Sequence, residues 1–155
     1  MKILYICTHN RCRSILSEAI TNQLGADHQI SAKSAGSQPV GQVHPLSIEY
    51  LDANAYSTKG LKSQSWDEFE SFSPDLVITV CDSAANETCP VYFSNTNQMH
   101  WGLADPSKVS GTSMEIAEAF NTCIRTIEAR VTLLIDLKNK GLNALQIKSE
   151  IEGRE

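Results

Sequence analysis

The sequence predicts an α/β fold: a four-stranded parallel sheet with helices on both faces. Two observations lead there. The runs Ile3-Leu4-Tyr5-Ile6 and Leu76-Val77-Ile78-Thr79-Val80 are apolar on consecutive residues, as strands covered on both sides should be. Segments of strand and helix character also alternate along the chain, the pattern of parallel strands joined by crossover helices. With 155 residues the expected organisation is a single domain spanning 1–155.

The elements follow in order. Lys2–Ile6 reads as the first strand. Ser14–Leu24 reads as a helix with Ile15, Ala19 and Ile20 on one face and Gly25 as its stop. Gln29–Ser34 is a second strand, ending at Ala35-Gly36, and Ser37–Val43 is loop. Pro45 suits the first position of a helix running to Ala53. Ser57–Ser65 is loop, and Trp66–Phe72 is a short helix. Asp75–Cys81 is the third strand and Gln98–Trp101 the fourth. Thr112–Lys140 is one long helix opened by the capping box Thr112-x-x-Glu115 and closed by Gly141, with Ile116, Phe120, Cys123, Ile127, Val131 and Leu134 on its apolar face. The polar tail after Leu145 is expected as a loosely held helix or a frayed end.

Between the first strand and helix lies Cys7-Thr8-His9-Asn10-Arg11-Cys12-Arg13-Ser14. A loop that opens onto a helix N-terminus aims backbone N–H groups and the positive end of the helix dipole at its contents. Thr8, His9, Asn10, Arg11, Cys12 and Arg13 are therefore the candidate oxyanion-binding residues. Arg13 can grip a tetrahedral oxyanion through two parallel hydrogen bonds. The same field favours a thiolate, so Cys7 is the candidate nucleophile. Ser14 is placed to donate to the Cys7 sulfur, and Asn10 to brace the loop. Cys12 is read as a packing residue of the loop, and Cys123 as core.

Composition narrows the function. The net charge of −5 leaves no basic stripe for nucleic acid. No apolar stretch is long enough to cross a bilayer, and no separate signal-peptide segment precedes the first strand. A cytoplasmic protein, expected to be monomeric, is the reading. Five cysteines cannot all pair within the chain, and a disulfide scaffold is not expected in that compartment. Cys81, Cys89 and His100 could in principle supply metal ligands, as could Cys7 and Cys12. Without a Cys-x-x-Cys or paired-His spacing no metal centre is predicted.

In parallel sheets ligands bind beyond the carboxyl ends of the strands. Cys7, Cys81 and Asp105 all arrive at that edge. Asp105-Pro106 sets a carboxyl on a rigid turn, where it can protonate a leaving oxygen or simply form a turn. Cys81 and Cys89 bracket a small, polar segment. Were 82–88 helical, eight residues would rise about 12 Å, beyond the roughly 7 Å between Cα atoms that a disulfide permits. Local unfolding would bring them together. The residues alone leave two readings open: a redox relay, or Cys81 in the sheet with an incidental Cys89.

Together Cys7–Ser14, Ser34-Ala35-Gly36, Asp75–Pro90 and His100–Pro106 resemble the arsenate reductases built on the low-molecular-weight tyrosine phosphatase fold, particularly the thioredoxin-coupled type. The paired cysteines after the third strand separate this branch from plain phosphatases, the alternative assignment, which share the Cys-x5-Arg-Ser loop and the Asp-Pro acid. The resemblance implies arsenate reduction with Cys7, Arg13, Ser14, Cys81, Cys89 and Asp105 as the catalytic set and a Cys7/Cys81/Cys89 disulfide relay. It implies no tightly bound cofactor. The reductant would be an external thiol, thioredoxin or glutathione with glutaredoxin. Some relatives hold potassium near the loop, and Asn10, Glu18, Ser34 and Asp67 are the matching positions. His9 and Arg11 stand where the thioredoxin-coupled enzymes typically have glycine and serine, so this loop differs in charge.

Overall fold

The computed structural model describes residues 1–87 and 90–154. Four parallel strands, β1 (Lys2–Ile6), β2 (Ser31–Ala35), β3 (Leu76–Thr79) and β4 (Asn97–His100), form one sheet in the order β2-β1-β3-β4. β1 is central, and Ile3 to Ile6 are fully buried. That explains its unbroken apolar run: a strand covered on both faces has no side on which a polar residue is favoured. Its register sets Ile6 opposite Ala35 on one side and Thr79 on the other. The carboxyl ends of three strands therefore finish level.

The helices are α1 (Arg13–Leu24), α2 (Pro45–Ala53), α3 (Asp82–Ala85), α4 (Ser113–Asn139) and α5 (Ala144–Glu152). α1 packs on β1 and β2 and against α2 and α4, while α5 packs on β4 and α4. The expected Thr112/Glu115 capping box starts α4, which buries Phe120, Cys123, Ile127, Val131 and Leu134. Trp101 is buried beside Tyr5, with ring centroids 6.2 Å apart.

Besides one-residue shifts such as β4 at Asn97–His100 instead of Gln98–Trp101, four elements depart from the sequence reading. β2 begins at Ser31 because a 3-10 turn at Ala26–His28 ends in Gln29 at φ 59°, a left-handed conformation outside a strand. The Trp66–Phe72 segment is helical only as a 3-10 turn over Trp66–Phe69, capped by Ser65 and Glu68. β3 stops at Thr79, because Cys81 turns to cap the single helical turn α3. The tail is neither loose nor frayed. Asn143 and Gln146 form a second capping box, and Ile147 and Ile151 are buried. The signal was four-residue apolar spacing after an Asn cap, masked by the polar residues between.

If α5 is an integral part of the core, Ile147→Ala lowers the unfolding free energy by about 2–5 kcal/mol in denaturant titration. A frayed tail would leave the midpoint unchanged.

Candidate active site

Residues 7–12 connect β1 to α1. Cys7 N–H still donates to Ala35 O at 3.2 Å, so the sheet delivers Cys7 to the loop's first position. No side chain caps the N-terminus of α1, and no acidic residue occupies its first turn. Its leading N–H groups remain available to an anion.

Asn10 holds the loop's shape. It is fully buried and sits at φ 47°. Its Nδ2 donates to Ser14 Oγ at 2.8 Å and to Ser34 Oγ at 3.0 Å, and its Oδ1 accepts from Gln64 N at 2.8 Å. Ser34 Oγ donates onward to Glu18 Oε1 at 2.6 Å. Gly36 lets the next segment close on this loop. A Cβ there would fall 2.5 Å from Thr8 O and 2.7 Å from Cys7 O, closer than backbone can yield. Gln38 N–H donates to Thr8 O at 2.9 Å and His44 N–H to Arg11 O at 2.9 Å, supporting the loop from outside.

The resulting cavity has a volume of about 260 Å3. Cys7, Cys81, Arg13, Asp105 and Lys108 are among its walls. Arg13 is aimed by the segment that follows β4: Nη1 donates to Leu103 O at 3.1 Å, and Nη2 meets Asp105 Oδ2 at 3.4 Å. Its Nε is buried and has no hydrogen-bond partner among the described residues. An unpaired buried donor is costly, and here it belongs to a cation lining an open cavity. Asp105 is fixed by Ser107, whose N–H and Oγ donate to Oδ1 at 3.0 and 2.6 Å. A larger apolar cavity of about 480 Å3 lies alongside, between α4 and residues 102–109, and shares Asp105.

Cys7 and Cys81 are joined by a thiol hydrogen bond and form no disulfide. The bond from the Cys7 thiol draws Cys81 down to about 5, against burial and with help from the backbone N–H groups of Thr8 and Ala84. The same bond, with burial and the neighbouring Cys81 charge, pushes Cys7 up, against the pull of Arg13. These causes favour the proton on Cys7 and the charge on Cys81, whereas the loop and helix alone favour a thiolate at Cys7. Burial pushes Cys12 up to about 11, opposed by a hydrogen bond to Ser47, and pushes Cys123 up to about 12. Both fit packing roles.

Residues 2–149 match the family model for low molecular weight phosphotyrosine protein phosphatases. The chain belongs to this family. It is 33% identical over 113 residues to an arsenate reductase of Halalkalibacterium halodurans, covering 73% of this chain and 79% of that one. It is 29% identical over 134 residues to the glutaredoxin arsenate reductase of Synechocystis sp., covering 86% and 95%. A solved arsenate reductase in the phosphate binding state superposes with a TM-score of 0.73 at 27% identity, covering 87% of this chain and 96% of that chain.

This phosphatase-family site gathers most of the residues expected from sequence. Cys7, Arg13, Cys81 and Asp105 meet at one cavity, with Thr8, His9, Arg11 and Cys12 also on its wall. His9 remains solvent-exposed, while Arg11 is half-buried. Ser14 differs: its Oγ accepts from Asn10, and among the described residues no hydrogen bond links it to Cys7. Asn10 faces the network rather than the cavity. Cys89 lies outside the described residues. Of the four expected potassium positions, Asn10, Ser34 and Glu18 are directly bonded in sequence, and burial raises the Glu18 pKa against the opposing Ser34 bond and Lys33. Asp67 stands exposed on the 66–69 turn. Sequence reasoning missed Gln64, whose partner lies 54 residues away, and Ser83, Ser107 and Lys108 on the wall. The Ser-Lys pair directly after Asp105-Pro106 was the available signal for the last two.

Two outcomes follow from this geometry. In Cys7→Ala the donor to Cys81 is lost, so the Cys81 thiolate midpoint rises from about 5 toward the ordinary thiol range of roughly 8.5, read by ultraviolet titration. The thiolate is lost as pH falls through either midpoint, so at intermediate pH only the parent retains it. Gly36→Ala displaces the loop, and turnover falls by about a hundredfold if the shift reaches an ångström.

Proposed function

We propose that this protein reduces arsenate to arsenite, with Cys7 as nucleophile and Cys81 and Cys89 as a disulfide relay. The observation that carries the reading is the Cys7–Cys81 thiol pair lining the same cavity as Arg13. Phosphoester hydrolysis at such a loop needs one thiol; electron transfer to the bound anion needs two. The named arsenate reductases that the chain resembles support the same choice.

The oxyanion is held by Arg13 and by the N–H groups at the start of α1. A proton passes from Cys7 across the thiol bond, and Arg13 favours the thiolate left behind. Cys7 sulfur then bonds to arsenic as an arsenic–oxygen bond breaks. Asp105 supplies a proton to the oxygen, which departs as water. Cys81 releases to water the proton it took and attacks the Cys7 sulfur next as a thiolate. The sulfur–arsenic bond breaks, its electron pair stays on arsenic, and As(V) leaves as As(III). The Cys7–Cys81 disulfide carries the oxidation. Cys89 attacks Cys81 and returns Cys7 as a thiolate, and an external dithiol reduces the Cys81–Cys89 disulfide. Thioredoxin or glutathione with glutaredoxin fits that final role. Potassium would be held by Glu18 and Ser34 and would supply the positive charge that a buried carboxylate requires.

The second reading, a phosphatase, is favoured by the family match and uses Cys7, Arg13 and Asp105 alone. Arsenate-dependent NADPH oxidation, run with thioredoxin and thioredoxin reductase and separately with glutathione and glutaredoxin, separates the two. Activity is expected with at least one system and is abolished in Cys81→Ser and in Cys89→Ser. Silence in both systems, or full turnover in both variants, would remove the relay assignment.

A further inference from the structure

Glu87 reaches back from the relay segment to the anion loop. The Thr8 hydroxyl donates to its Oε1 at 2.7 Å. Among the described residues few other contacts hold 82–87, one being the buried Ala84 N–H that donates to Cys81 Sγ at 3.4 Å. Asp82 Oδ1 meets His100 Nε2 at 3.0 Å in an exposed contact. The N–H groups of Ala85, Asn86 and Glu87 return to carbonyls of the same turn at 3.2–3.3 Å. Ala84 is the one fully buried side chain of the stretch. A segment with so few apolar anchors opens at small cost. The Thr8–Glu87 bond ties it directly to the loop, and Thr8 also lines the 260 Å3 cavity. A carboxylate thus stands one hydroxyl group away from the space an oxyanion enters, in partly buried surroundings where like charges are weakly screened.

We propose that Glu87 is a positioning residue that latches residues 82–87 to the anion loop through Thr8, and that an oxyanion filling the cavity expels it, freeing residues 82–87 only when an anion is bound. The role given to Cys89 rests on the arsenate reductase reading; the latch itself needs only anion binding. Opening breaks the Thr8–Glu87 hydrogen bond and with it the N–H bonds of Ala85, Asn86 and Glu87 within the turn, and the released groups are taken up by water. Linkage makes the effect reciprocal: an anion that opens the latch binds less tightly because the latch exists.

Amide hydrogen exchange on the reduced, full-length protein tests this, with inorganic phosphate as the anion. In the parent, saturating phosphate accelerates exchange at Ala85, Asn86 and Glu87 while slowing it at the start of α1. Glu87→Gln keeps an acceptor for Thr8 without the charge. Its segment stays closed with phosphate bound, and its phosphate affinity rises about fivefold or more, the lower range of ordinary site-to-site coupling. Glu87→Ala opens the segment without phosphate. Slowed or unchanged exchange at 85–87 in the phosphate-bound parent, or a Glu87→Gln response equal to the parent's, would overturn the latch. Phosphate is not reduced, so the readout is independent of catalysis. A parent that reduces arsenate but does not open with phosphate sinks the latch alone. A parent that opens with phosphate but reduces no arsenate supports the latch and sinks the reductase reading.

Discussion

The site depends on one side chain, the buried amide of Asn10. Six residues must turn from a strand into a helix while directing their N–H groups inward, and no regular structure satisfies the backbone of such a loop. Asn10 supplies what the backbone lacks. It adopts the left-handed conformation that Asn tolerates better than most residues, and its three hydrogen bonds tie the loop to α1, β2 and the segment at Gln64. Each of those bonds would leave a buried polar group unsatisfied if the loop moved, at about 1–3 kcal/mol apiece. The loop therefore has one well-determined shape before any anion arrives, which is what electrostatic stabilisation of a developing charge requires.

The second constraint is the level finish of β1 and β3. With Ile6 opposite Thr79, the residues immediately beyond the two strands come together, and Cys7 meets Cys81. In a buried setting two thiols in contact do not both ionise; one gives up its proton and the other holds it. The causes acting on the pair favour the proton on Cys7 and the charge on Cys81.

Most of the scaffold was legible in the sequence because its signals are local. Consecutive apolar residues marked β1 and β3, Pro45 marked α2, and the Thr112/Glu115 pair marked α4. The anion loop was legible because strand, loop and helix are contiguous. What the sequence hid is nonlocal. The thiol pairing of Cys7 and Cys81 depends on strand register, and so does the direction in which their proton shifts. Gln64 reaches Asn10 across 54 residues. Ser14 looked like a donor to Cys7 by proximity along the chain, but its geometry on α1 turns it toward Asn10. The burial of α5 depends on β4 and α4, which no window around Ala144–Glu152 contains.

Arg13 shows how the two constraints meet. Two of its three nitrogens are engaged by Leu103 and Asp105, which come from the far side of the cavity, so the guanidinium cannot turn to find a partner for Nε. A free side chain would rotate until every donor was satisfied. This one is prevented from doing so by groups whose own positions are fixed, Asp105 by Ser107 and the loop by Asn10. Among the described residues the folded chain thus leaves the buried Nε of a cavity-lining arginine without an acceptor. The energetic cost of that unpaired donor is borne by the network around Asn10.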